Sequence, residues 1–148
     1  MADVRIRFAA AEDFEAVARL LAELGRPALT GETETEARRV YLRHLGRAPE
    51  TASLVALIDG ALVGFMSLEF RERLNRTAPQ AWIPDLIVTE RHRGLRAGKA
   101  LLLRGLELAR ARGCWSAILE SGRGRVVAHS LYRSVGMANE GEYFILRF

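Results

Sequence analysis

Val4, Ile6 and Phe8 alternate with Arg5 and Arg7 at the head of the chain, the two-residue period of a half-buried strand. The period then lengthens. Phe14, Val17, Leu20, Leu21 and Leu24 recur at helical spacing, which predicts a helix over 13–24, stopped by Gly25 and Pro27. A second helix is expected over 33–45: Glu34 and Glu36 fall in its first turn and Arg43 and His44 near its end, the charge order a helix dipole favours. Two apolar runs, 54–58 and 62–70, flank Asp59-Gly60. That dipeptide supplies the positive φ values of a tight type I′ hairpin turn. A further strand is expected over 80–88. Pro84 within it lacks a ladder donor, so a bulge or an unpaired stretch is expected there.

Leu101, Leu102, Leu106 and Ala109 mark one face of a helix running from about 98 to 112, and Gly113 ends it. A strand over 115–120, a helix over 126–135 closed by Gly136, and a last strand over 142–148 complete the pattern. The order is strand, two helices, three strands, helix, strand, helix, strand. This describes a mixed α/β domain whose later strand–helix–strand unit requires a crossover. No internal repeat or linker divides the 148 residues, so one domain over 1–148 is expected.

Composition narrows the function classes. Hydrophobic residues are 49% of the chain, enough for a packed core and too many for a disordered tail. No apolar run approaches a membrane span, and Met1-Ala2-Asp3-Val4-Arg5 lacks the basic-then-apolar pattern of a secretory signal. Cys114 is the only cysteine, so no internal disulfide can form and a reducing, cytoplasmic setting is the expectation. The net charge is +4, which suits anionic ligands. Lys99 is the only lysine, so 21 of the 22 basic residues are arginines, and these spread from Arg5 to Arg147 without forming one patch. Nucleic acid is therefore not the expected partner. His44, His92 and His129 share no metal-ligand spacing, and no metal is expected.

The segment 85–99 carries the most chemistry. A buried strand runs into the polar turn Thr89-Glu90-Arg91-His92, and Arg93-Gly94-Leu95-Arg96-Ala97-Gly98-Lys99 leads into a long helix. A helix N-terminus presents unpaired N–H groups and partial positive charge, and small residues allow a phosphate to approach the backbone. Arg91, Arg93, Arg96 and Lys99 add charge around it. The spacing fits neither a Walker A loop nor the Gly-x-Gly-x-x-Gly turn of a dinucleotide fold. By itself it reads equally as an anion-binding turn and as an ordinary loop-to-helix junction.

Ala128-His129-Ser130-Leu131-Tyr132-Arg133-Ser134-Val135-Gly136-Met137 resolves that tie. Together with 93–99 it resembles the GNAT superfamily of acyl-CoA N-acetyltransferases. The family's pyrophosphate signature, Arg/Gln-x-x-Gly-x-Gly/Ala, stands here as Arg93-Gly94-Leu95-Arg96-Ala97-Gly98, with arginine at the middle glycine. Its later signature is matched by Ala128, Leu131-Tyr132 and Gly136-Met137; Arg125 stands where many relatives carry asparagine.

The resemblance implies a GNAT-like mixed central β-sheet flanked by helices, acetyl-CoA as acyl donor, and a primary amine of a small molecule, peptide or protein as acceptor, attacking directly in a ternary complex. It implies pantetheine lying along the backbone of Leu86 and Val88, with the Val88 N–H polarising the thioester carbonyl. It implies phosphates held by Arg93, Gly94, Leu95, Arg96, Ala97, Gly98 and Lys99, with Arg125 beside the cofactor. Tyr132 is the expected general acid toward the departing thiolate; a core tyrosine packed under the cofactor is the other reading. Asp85 is the nearest carboxylate for the base, although strand alternation sets it opposite Leu86 and Val88; Glu69, Glu120 and water are rivals. The acceptor site is expected among 25–47, 71–77 and the last strands. Family members often form dimers, and the apolar last segment is compatible with an interface or with an internal strand. A non-catalytic CoA-thioester-binding module and a basic, nucleic-acid-associated acetyltransferase are the alternatives.

Overall fold

The computed structural model describes residues 3–94 and 96–148. One sheet runs in the order β1-β2-β3-β4-β5. Its strands are β1 Val4–Phe8, β2 Thr51–Ile58, β3 Ala61–Arg71, β4 Gln80–Val88 and β5 Ser116–Ile118. The first four are antiparallel neighbours, and β5 runs parallel to β4. A parallel pair needs a crossover, and α3, Ala97–Ala111, supplies it. A 3-10 turn at Ala11–Asp13 leads into α1, Phe14–Glu23; α2 is Gly31–Gly46 and α4 is Val126–Ser134.

The β2–β3 hairpin turns on Asp59 and Gly60, with φ of 50° and 79°, the pair of positive values that its sequence predicts. The bulge expected at Pro84 also forms. Ser67 faces Asp85 and Glu69 faces Trp82, so Leu68 stands opposite both Ile83 and Pro84. The extra residue reverses the side-chain alternation of β4. Ala81 and Ile83 pack on the face covered by α3, and beyond the bulge that face receives Leu86 instead of Asp85. Ile87 falls on the opposite face.

Two apolar layers follow. Phe14, Val17 and Leu20 of α1 and Tyr41 of α2 pack on Val55, Phe65 and Ile87. Leu101, Leu102 and Leu106 of α3 and Tyr132 of α4 pack on Leu54, Met66, Leu68, Ile83 and Leu86. Gly105 lets α3 lie close to the sheet: a Cβ there would stand under 3 Å from the Met66 Sδ.

The expected last strand does not form. Residues 137–148 carry no regular structure, and Phe144, Leu146 and Phe148 are exposed. β-propensity is realised only against a neighbouring strand, and the free side of β5 receives none.

Candidate active site

The site begins where β4 and β5 part. β5 pairs only with Gln80, Ala81 and Trp82. Beyond the bulge, β4 has β3 on one side and no ladder on the other. The Thr89 N–H donates to the Val63 carbonyl at 2.8 Å. In an antiparallel ladder that bond makes Val88 and Gly64 a non-hydrogen-bonded pair, so the N–H and C=O of Val88 point away from β3. Leu86, opposite Met66, has the same parity. Two N–H groups of one strand therefore face the open gap. The Arg93 Nε reaches the Val88 carbonyl on that side at 3.2 Å.

The strand leads into a turn bent by two left-handed residues, Gly94 at φ 85° and Arg96 at φ 68°. Leu95 lies outside the described residues. Arg96 thus holds, with a side chain, a conformation that usually selects glycine. The first bond of α3 runs from the Ala100 N–H to the Arg96 carbonyl at 2.9 Å. The N–H groups of Ala97, Gly98 and Lys99 precede that bond, the orphan donors of a helix start. A Cβ on Gly98 would stand 3.3 Å from the Leu131 Cδ2 and 3.6 Å from the Val88 Cγ2. Gly98 is therefore the point at which β4, α3 and α4 meet.

Arg91, Arg93, Arg96 and Lys99 are exposed around this turn, and none pairs with a carboxylate among the described residues. The turn is braced from below by Glu23, whose carboxylate accepts the Thr89 Oγ1–H at 2.8 Å and the Glu90 N–H at 3.2 Å. Nothing in the local sequence signals this clamp, since Glu23 ends a helix far from the turn in the chain. An extended anionic molecule fits the features present: outward N–H groups along a strand, a glycine where three elements converge, and a basic helix start.

Tyr132 lies one residue beyond Leu131 and is buried in the apolar layer between α3 and the sheet. No described residue exchanges a hydrogen bond with its hydroxyl. His129 is half-buried: its Nε2 lies 3.2 Å from the Ser121 Oγ and its ring centroid 6.3 Å from that of Tyr132. Arg125 is exposed immediately ahead of α4, whose first bond runs from the His129 N–H to the Arg125 carbonyl at 3.0 Å.

Asp85 lies on the α1 side of β4, as alternation predicts. The Arg26 Nη2 contacts its Oδ1 at 2.6 Å and the Ser67 hydroxyl donates to its Oδ2 at 2.6 Å, so both oxygens are engaged. Beside this pair lies a cleft of about 490 Å3, lined by Arg26, Trp82, Pro84, Glu120, Ser121, Gly122 and Tyr143. The Trp82 Nε1–H donates to the Glu120 Oε2 at 2.8 Å. Only Arg26 represents the expected 25–47 region, and the 71–77 region is absent from the lining. Tyr41, also expected near the acceptor, is structural: its hydroxyl donates to the Ala10 carbonyl at 2.6 Å, and burial pushes its pKa up to about 12. Glu69 pairs with Arg47 at 3.5 Å. Burial also raises the thiol pKa of Cys114, which disfavours the thiolate a nucleophile needs. No described helix is long and apolar enough to cross a membrane, and no group of three or more metal-binding side chains gathers among the described residues.

The family described as Acetyltransferase (GNAT) family matches residues 15–137. No curated protein sequence matches significantly. The fold is that of glucosamine-6-phosphate N-acetyltransferase from Arabidopsis thaliana, at 21% identity over 99% of each chain with a TM-score of 0.84. It is similarly close to a ribosomal-protein-alanine N-acetyltransferase from Brucella melitensis biovar Abortus 2308, at 24% identity over 99% of this chain and 100% of that one, TM-score 0.74. An aminoglycoside N-acetyltransferase in complex with CoA shares the fold at 18% identity over 100% of this chain and 96% of that one, TM-score 0.80. The chain belongs to the GNAT family of acetyltransferases and is an acyl-CoA-dependent N-acetyltransferase whose acyl donor is acetyl-CoA.

Proposed function

We propose that the protein transfers an acetyl group from acetyl-CoA to a primary amine of a small molecule or peptide, by direct attack while both are bound. The observation that carries this reading is the half-open strand: Val88 and Leu86 turn their N–H groups into a gap that leads to the start of α3. When bound, acetyl-CoA supplies an acetyl thioester, activated toward amines. Leu86 and Val88 bind its pantetheine arm through their backbone, and the Val88 N–H withdraws charge from the acyl oxygen. Arg93, Gly94, Leu95, Arg96, Ala97, Gly98 and Lys99 hold the phosphates, with Arg125 adding charge from the start of α4. Tyr132 gives its hydroxyl proton to the departing sulfur.

Two carboxylates flank the cleft. Glu120 spends Oε2 on Trp82 and keeps Oε1 without a described partner; we assign it the proton that leaves the ammonium. Both Asp85 oxygens already carry a partner, Ser67 and Arg26, and its proposed part is to hold Arg26 against the cleft wall. Cys114, half-buried and unpaired, agrees with a reducing compartment such as the cytoplasm.

The test is thiol release from acetyl-CoA across a panel of amino sugars, aminoglycosides, polyamines and peptide N-termini. Amine-dependent release supports transfer. A tight coenzyme A complex that turns over with none of them would instead make the protein a binding module. Retention on tRNA that falls steeply with salt would favour the nucleic-acid-associated alternative.

Arg96 separates two physical effects in one variant. Arg96→Gly removes a side chain from a left-handed residue, relieving about 1 kcal/mol of strain net of the added chain entropy of glycine. Thermal unfolding is expected to rise by about 3 °C in a chain of this size. The lost guanidinium is expected to raise KM for acetyl-CoA several-fold with kcat nearly unchanged. A variant with unchanged KM would make Arg96 a bystander to the phosphates.

A further inference from the structure

Arginines that are scattered along the sequence are gathered by the fold at one end. The start of β2, the β3–β4 connection and the segment between α3 and β5 meet there. The Phe70 N–H donates to the Glu50 carbonyl at 2.9 Å, and the Trp115 N–H to the Pro79 carbonyl at 3.0 Å. Residues 47–50, 69–80 and 110–115 make up this end. They hold six arginines against three glutamates, so +3 of the chain's net +4 is concentrated here.

Four of these arginines are held by neighbours other than acids. The Arg71 Cζ lies 4.4 Å from the Trp82 ring centroid, the Arg76 Cζ 3.8 Å from that of Trp115 and the Arg112 Cζ 4.9 Å from that of Phe70. The Arg73 Nη1 donates to the Oε1 of buried Gln80 at 2.9 Å. None of the four pairs with a carboxylate among the described residues. A guanidinium stacked on a ring keeps N–H groups for a planar anion and loses little freedom on engaging one.

This end adjoins the acceptor cleft through Trp82, which carries Arg71 on its ring and lines the cleft with Arg26 and Glu120. A molecule with its amine in the cleft therefore has the basic end beside it. Polyamines and aminoglycosides are repelled there. Nucleic-acid bases offer only amines conjugated with a ring, which are poor nucleophiles. A peptide N-terminus is an aliphatic amine, and acidic residues after it place carboxylates along an extended chain. Gln80 and Trp82 are two residues apart on β4. That spacing is roughly 7 Å, a length that about two extended peptide residues match.

We propose that the acceptor is an acidic peptide, with its N-terminal amine in the cleft and the carboxylates of its next residues on Arg71, Arg73 and Arg76. This rests on the transfer reading above and narrows its acceptor from primary amines in general to one class.

The experiment compares two peptides with the same free N-terminal serine, followed in one by three aspartates and in the other by three asparagines. The kcat/KM for acetyl transfer is expected to be about tenfold higher for the aspartate peptide, the sum of three exposed ion pairs. The preference is expected to shrink in about 0.5 M salt. Anisotropy of the labelled peptides on the chain saturated with coenzyme A reads binding without turnover, and the same order is expected. The double variant Arg73→Glu with Arg76→Glu changes two exposed residues. It is expected to prefer a third peptide carrying three arginines, with an unchanged circular dichroism spectrum; a merely structural role does not produce that reversal. Equal binding and equal kcat/KM for the aspartate and asparagine peptides overturn the proposal, as does a preference that the double variant leaves intact. Tighter binding of oligouridylate than of the aspartate peptide assigns the surface to nucleic acid and overturns it too. Failure of transfer to every amine overturns the underlying transfer reading, whereas acetylation without selectivity among the peptides overturns this proposal alone.

Discussion

Tyr132→Phe is expected to lower kcat about 100-fold, the lower end of what a general acid contributes, while the affinity for acetyl-CoA stays nearly constant. The two halves of that expectation come from different parts of the side chain. The residue is 8% exposed within the apolar layer between α3 and the sheet, and phenylalanine reproduces that packing. The hydroxyl has no hydrogen-bond partner among the described residues, so its removal leaves no described group unsatisfied. What is lost is one transferable proton. Steady-state thiol release gives kcat, and calorimetric titration with acetyl-CoA gives the affinity. An unchanged kcat removes Tyr132 from the chemistry; a loss of affinity equal to the loss of rate returns it to the core.

Leu101→Ala is expected to destabilise the fold by about 3 kcal/mol, a large share of the roughly 5–15 kcal/mol that holds a domain together. Leu101 has no exposed surface, and its Cδ1 would lie 3.0 Å from a Cβ built on Gly64. The backbone of β3 therefore approaches this helix as closely as glycine allows. A smaller side chain leaves a void that the sheet cannot close without moving Val88, whose Cγ2 would lie 3.3 Å from the same Cβ. Leu103, on the same helix and 43% exposed, is the control: its alanine variant is expected to cost less than about 1 kcal/mol. Urea unfolding of both variants measures the difference. Similar midpoints would show that α3 does not clamp the sheet.

How much of this is legible in the chain depends on the range of each interaction. The Asp59-Gly60 turn, the Pro84 bulge and the closure of α4 by Gly136, at φ 92°, are local events, and each is announced by the residue that performs it. The side on which Asp85 falls follows from parity counted back from Leu86 and Val88, because the bulge reverses the parity set by Ala81 and Ile83. The segment 142–148 misleads because its composition states a capacity to pair and not the presence of a partner. Arg96 is legible as a departure from the family signature, but a non-glycine residue carries no local mark of a left-handed backbone. The cleft is the least legible part. Arg26, Trp82, Glu120 and Tyr143 come from four separate regions of the chain and meet only in the fold. The Glu23 clamp on Thr89 is hidden for the same reason.

The brevity of β5 has one more consequence. Sheets ordinarily expose their unpaired backbone at the rim, where any passing chain can dock. Here a stretch of unpaired backbone, Leu86 and Val88, lies inside the sheet between two strands that diverge from a common root. A polypeptide must bring its own side chains on both faces and so meets the packed layers above and below. A slender chain bearing amides and no side groups does not. Under the proposed function, the slender pantetheine arm is what meets this backbone, and a strand, which carries side chains on both faces, is the poorer fit.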